Sequence, residues 1–116
     1  MNTSYYFSKH INPETMNLVG ISQSIPKILK GKIRIYQPLY PPWSLINAYK
    51  KGNITESQYE AEYAATVLKS LNPEKVYQEL CYDAILLCWE RPEEFCHRHL
   101  VSKWLSVNLR ILIPEL

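Results

Sequence analysis

In the stretch LLCWERPEEFCHRHL, Leu86 to Leu100, a thiol, two imidazoles and a guanidinium follow one another at Cys96, His97, Arg98 and His99, with Cys88 and Glu90 just upstream. A thiol beside His or Arg near the start of a helix has its thiolate stabilised by positive charge and by the free backbone N–H groups, which raises its reactivity near neutral pH. Cys96 is therefore the candidate nucleophile. His97 is placed to act as base or ion-pair partner, and Glu90 to orient an imidazole or take a proton. Arg98, together with the free N–H groups, suits an anion.

Each of these residues has a plainer role. Cys88 in an apolar strand is more often a small buried hydrophobe than a reactive group. His97 could be a core histidine bonded to a carbonyl, Arg98 and Glu94 a surface ion pair, and His99 part of a solvated face. Cys81, at an expected helix end, reads as packing. Zinc is a further chemical option for Cys88, Cys96 and His97, with Glu90 or His99 added. Spacing speaks against it, because there is no C-x₂-C or H-x₃₋₅-H pair and adjacent Cys96 and His97 would have to ligate from neighbouring helical positions. No metal or cofactor is therefore expected.

The elements that would position this set follow from periodicity. DAILLCW (Asp83 to Trp89) is a nearly continuous apolar run, the pattern of a central strand covered on both faces. FCHRHLVSKWLSVN (Phe95 to Asn108) has helical spacing, with Leu100, Val101, Trp104 and Leu105 inward and Cys96 and His97 on the same stripe. Arg98 and His99 then lie about 100° and 200° around the helix from His97, and His99 points outward. A helix starting at Pro92 instead would put Cys96 a turn inside and weaken the dipole effect. RILI (Arg110 to Ile113) reads as a closing strand, making a βαβ unit. The start of such a helix lies at the carboxyl end of its strand, where open α/β sheets hold their ligands, so Cys88, Glu90, Cys96, His97 and Arg98 should meet in one crevice.

Upstream, TSYYF (Thr3 to Phe7) and NLVGIS (Asn17 to Ser22) are short and β-prone, and KIRIY (Lys32 to Tyr36) suits an edge strand or an ordered loop, an edge that could pair between chains. Pro42 opens a helix, WSLINAYKKG, that stops at Gly52. Thr55 with Gln58 forms a capping box ahead of Tyr59, Tyr63, Val67 and Leu71, and Asn72 with Pro73 starts another helix through Val76, Tyr77 and Leu80. The fold expected is one α/β domain over residues 1–116, with a small, mostly parallel sheet of about four or five strands flanked by helices in two or three layers.

Composition excludes more than it names. A chain of 116 residues with 47% hydrophobic side chains can bury one core, and 12% aromatics argue against disorder. A formal net charge of +2 is too small for an electrostatic nucleic-acid or membrane footprint. No apolar run is long enough for a bilayer span, and MNTSYYFSKH lacks the order of a secretory signal, so the expectation is a soluble, cytoplasmic protein whose three cysteines are free thiols. Tyr36, Tyr40, Trp43 and Tyr49, with Lys27, Lys30, Lys32 and Arg34 around Gly31, could stack and contact a nucleotide or single strand, although packing and a solvated loop explain them as well.

LLCWERPEEFCHRHLVSKWL and PPWSLINAYKKGNITESQYEAEY, with TSYYF, ISQSIP and NPEKV in order, resemble the short members of the family catalogued as domain of unknown function 488, which carry an LCxE strand end followed by FCHR. The resemblance spans nearly the whole chain and implies a site more than an activity. Carried over by position, that site is Cys88, Glu90, Cys96, His97 and Arg98, with Ser22 and Trp43 as substrate-binding neighbours. Glu93 departs from the small residue relatives often have there and adds negative charge near the anion pocket. The leading expectation is an enzyme acting on an anionic small molecule or a nucleotide-like substrate. The alternatives are a binding or adaptor module in which CHRH is structural, and a zinc site at the same residues.

Overall fold

A computed structural model describes all residues from 1 to 116. Four strands, β1 (Asn2–Tyr5), β2 (Leu18–Gly20), β3 (Arg34–Ile35) and β4 (Ile85–Cys88), form one sheet in the order β1-β4-β2-β3, with every pairing parallel. Four helices accompany it: α1 (Trp43–Lys50), α2 (Glu56–Thr66), α3 (Pro73–Leu80) and α4 (His97–Leu109). This is the small parallel α/β domain expected. No helix is long and apolar enough to cross a membrane.

The continuous apolar run fixes β4 at the centre, because both of its faces are buried and it pairs with β1 on one side and β2 on the other. Its alternate residues feed two cores. Leu86, with Val19 and Ile21, faces a cluster drawn from all four helices, including Tyr63, Val76, Val101 and Leu105. Ile85 and Leu87, with Leu18, face a smaller cluster closed by Tyr6 and by Leu29 from a one-turn 3-10 helix. Helices therefore cover one face, and loops with short turns cover the other.

The caps form as their residue types require. The Thr55 side chain accepts from the Gln58 N–H while the Gln58 side chain accepts from the Thr55 N–H, and Asn72 accepts from Glu74 and Lys75 ahead of Pro73. Gly52, just beyond α1, has φ of 74°, a left-handed conformation that suits glycine.

Three expectations need correction. RILI is not a strand: α4 runs to Leu109, Arg110 turns left-handed with φ of 56°, and only a single bridge joins Glu115 to Thr3. The reason is local, since Pro114 has no N–H to give a ladder and the Pro114 carbonyl instead accepts from the Thr3 N–H. Arg98 does not rotate off the inward face of α4; it is fully buried, in line with Val101 and Leu105. Cys81 is exposed at the end of α3, where it does no packing.

Candidate functional site

The site grows from the carboxyl end of β4. The chain leaves the strand at Cys88, loops through Trp89 and Glu90, and returns at Cys96, which is the N-cap of α4. Cys96 has extended backbone (φ −151°, ψ 143°), so it lies outside the helix while His97 is its first residue. That removes the objection that two neighbouring helical positions cannot face one point. It also settles where α4 begins, with no side chain capping its free N–H groups.

Cys88 and Cys96 are bonded to one another, which overturns the expectation of free thiols there; only Cys81 is free. No framework spacing marks such a bond, and it forms because the sheet and α4 bring both sulfurs to one strand end. His97 is buried, and its Nε2 donates to the Ile21 carbonyl at 2.7 Å. The carbonyl can only accept, so the proton sits on Nε2 and the bare Nδ1 faces the Cys96 sulfur at 3.8 Å. Burial holds the imidazole neutral, lowering its pKa to about 4 against a smaller opposing effect from the Ile21 carbonyl. Tyr63 packs edge-on against the ring.

Arg98 is committed elsewhere. Its Nη1 donates to the Cys88 sulfur at 3.0 Å and to the Glu90 carbonyl at 2.7 Å, while Nε and Nη2 grip the Glu115 carboxylate at 3.2 and 2.8 Å. Thr3 also donates to Glu115. Burial pushes the Glu115 carboxyl up, but the bonds from Arg98 and Thr3 outweigh it and hold the pKa below its ordinary value. The expectation that Arg98 holds a substrate anion is corrected, because its positive charge is already matched by a carboxylate inside the fold. Glu115 was not foreseen; no local pattern links it to Arg98.

A cavity of about 300 Å³ opens in front of the cysteine pair. Cys96 and His97 are part of its lining, whereas Cys88 and Arg98 lie behind them. Trp43, Tyr49, Tyr59, Trp89 and Phe95 supply aromatic walls, with Phe95 at 5.1 Å from both tyrosine rings. Ser22, Gln23, Ser24, Glu90 and Lys50 supply the polar part. Of the expected residues, then, Cys96, His97, Glu90, Ser22 and Trp43 meet at this cavity. Ser22 shares a hydrogen bond with buried Tyr6, whose pKa burial raises to about 12, and donates to the Ser24 carbonyl. Trp89 donates to that same carbonyl.

Tyr59 and Phe95 read in the sequence only as helix stripe and helix start, and Gln23 and Lys50 carried no signal. His99, expected to face solvent, is half-buried and its Nε2 has no partner. Arg34, one of the basic set, instead closes the end of α3 by donating to the Glu79 and Leu80 carbonyls. Compared with protein families, with curated proteins and with solved structures, the chain matches none.

Proposed function

We propose that this chain is a small α/β enzyme whose reacting group is the Cys96 sulfur. In the reduced form Cys96 attacks as the thiolate, favoured by the free N–H groups at the start of α4, with neutral His97 Nδ1 facing the sulfur as a hydrogen-bond acceptor. The substrate is a small, flat molecule, nucleotide-like in its base, held between Trp43 and Trp89, with Lys50 as the cation for an anionic group. Glu90 orients polar substituents. The expected setting is the cytoplasm, where thiols are kept reduced.

The observation that carries this reading is that Cys96 and His97 sit together at an aromatic-walled cavity large enough for a small ligand. Ligand-observed NMR with a panel of nucleosides, nucleotides and small aromatic acids tests it. Binding should weaken at least about tenfold in Trp43→Ala, a loss of about 1.4 kcal/mol. A bound ligand should also protect reduced Cys96 from alkylation. Ligands that bind without protecting Cys96 would favour the binding-module reading, which the full engagement of Arg98 inside the fold also supports. Zinc is a second chemical reading, favoured by ligand atoms of Cys88, Cys96 and His97 within 4.8 Å of one another. Stoichiometric zinc uptake by the reduced protein, lost in His97→Gln, would establish it.

A further inference from the structure

The geometry points to Cys88 and Cys96 as a redox couple that exchanges with a low-molecular-weight thiol entering the aromatic cavity, Cys96 being the sulfur attacked and Cys88 the sulfur that leaves. This rests on the reading of Cys96 as the reacting group and names a substrate class for it.

The two sulfurs are not equivalent. Cys96 lines the cavity, whereas Cys88 is wholly buried behind it. An incoming thiolate therefore has access to only one end of the bond. A polypeptide has little room at that end, since Cys96 is only 3% exposed, but a small molecule fits a cavity of about 300 Å³.

The groups around the pair favour its reduced form. Arg98 Nη1 donates to the Cys88 sulfur at 3.0 Å, and although Glu115 matches the guanidinium's charge, an N–H donor bonds a thiolate more strongly than a disulfide sulfur. A stabilised thiolate is also the better leaving group. On the other side, the bare Nδ1 of His97 faces Cys96, ready to accept from a thiol and offering nothing to a disulfide. Cys96, as the uncapped start of α4, has the free N–H groups of a thirteen-residue helix beside it.

The exchange runs in two steps. A thiolate RS⁻ attacks the Cys96 sulfur, the Cys88–Cys96 bond breaks, and Cys88 departs as a thiolate against Arg98. A second RS⁻ attacks the R sulfur of the mixed disulfide; RSSR leaves and Cys96 is released as a thiolate. Two RSH have lost two electrons to the cysteine pair, and their two protons pass to Cys96, where the thiol donates to His97 Nδ1, and to solvent. The reverse course oxidises the pair at the expense of a small disulfide.

The test uses the full chain with reduced and oxidised glutathione as the probe. The wild-type protein is equilibrated at a series of ratios and its thiols are counted by intact mass spectrometry, while Cys88→Ser and Cys96→Ser are each mixed with oxidised glutathione and followed by peptide mapping. Folding of both variants is checked by circular dichroism. The expected result is reversible passage of the wild type between dithiol and disulfide, with Cys88→Ser forming its adduct on Cys96 roughly tenfold faster than Cys96→Ser forms one on Cys88. Equal rates in the two folded variants, or a Cys88–Cys96 bond that glutathione reduces only after denaturation, would overturn the proposal. Failure here with ligand protection of Cys96 intact leaves the enzyme reading standing. Failure of both, with Cys96 inert even when reduced, removes the two together.

Discussion

Arg98 is the residue on which the site's interior turns, because a guanidinium with no exposure needs partners for its donors. Four of its five N–H groups have them, at the Cys88 sulfur, the Glu90 carbonyl and the Glu115 carboxylate. Glu115→Gln should cost about 3 kcal/mol in urea unfolding, since it leaves a buried cation without its countercharge. The double variant Arg98→Met, Glu115→Leu should recover a good part of that, as apolar replacements of buried pairs often do. A loss under about 0.5 kcal/mol for Glu115→Gln would show that solvent, and not Glu115, balances the charge. In the sequence, Arg98 stood beside a thiol and read as an anion binder. Its true partner lies seventeen positions away in a tail whose path no periodicity records.

At the scale of elements, local chemistry was largely legible. The Thr55 capping box and the Asn72 cap form where S/T-x-x-Q and Asn-Pro patterns put them, and Thr55→Ala should lower stability by about 1 kcal/mol in thermal unfolding. The end of α3 was less legible. Cys81 has φ of 78° and ψ of 148°, a region that essentially only glycine occupies without strain. Cys81→Gly should therefore stabilise the protein by about 1 kcal/mol, and a destabilisation would show that the side chain has an unrecognised contact. RILI misled because its residues have β propensity while Pro114 denies the ladder a donor. The N-cap position of Cys96 was likewise hidden, since Phe95 and Cys96 fit the helical period and only the folded backbone shows Cys96 to be extended.

For the molecule as a whole, the parallel sheet and its central strand could be read from one apolar run, whereas the disulfide and the cavity could not. Both arise where distant segments converge. The buried, neutral His97 ties this convergence to overall stability. Its folded pKa of about 4 lies below the unfolded value of about 6.5, so the unfolded chain binds the proton first and stability falls as pH drops from about 6.5, with the loss complete below about 4. The loss should be on the order of 3 kcal/mol, and His97→Gln, which keeps a donor for Ile21, should flatten that part of the profile. His99, whose pKa burial also lowers, adds a contribution of the same sign.

The central claim is that Cys96 is the reactive thiol of the cavity, and the most direct measurement is the alkylation rate of each cysteine against pH in the reduced, folded protein, read by mass spectrometry. The account predicts that Cys96 reacts with an apparent pKa well below the unperturbed value of about 8.5, because the free N–H groups that open α4 favour its thiolate. A Cys96 that stays unreactive until the protein unfolds, while exposed Cys81 reacts freely, would contradict the account and make CHRH a structural seal.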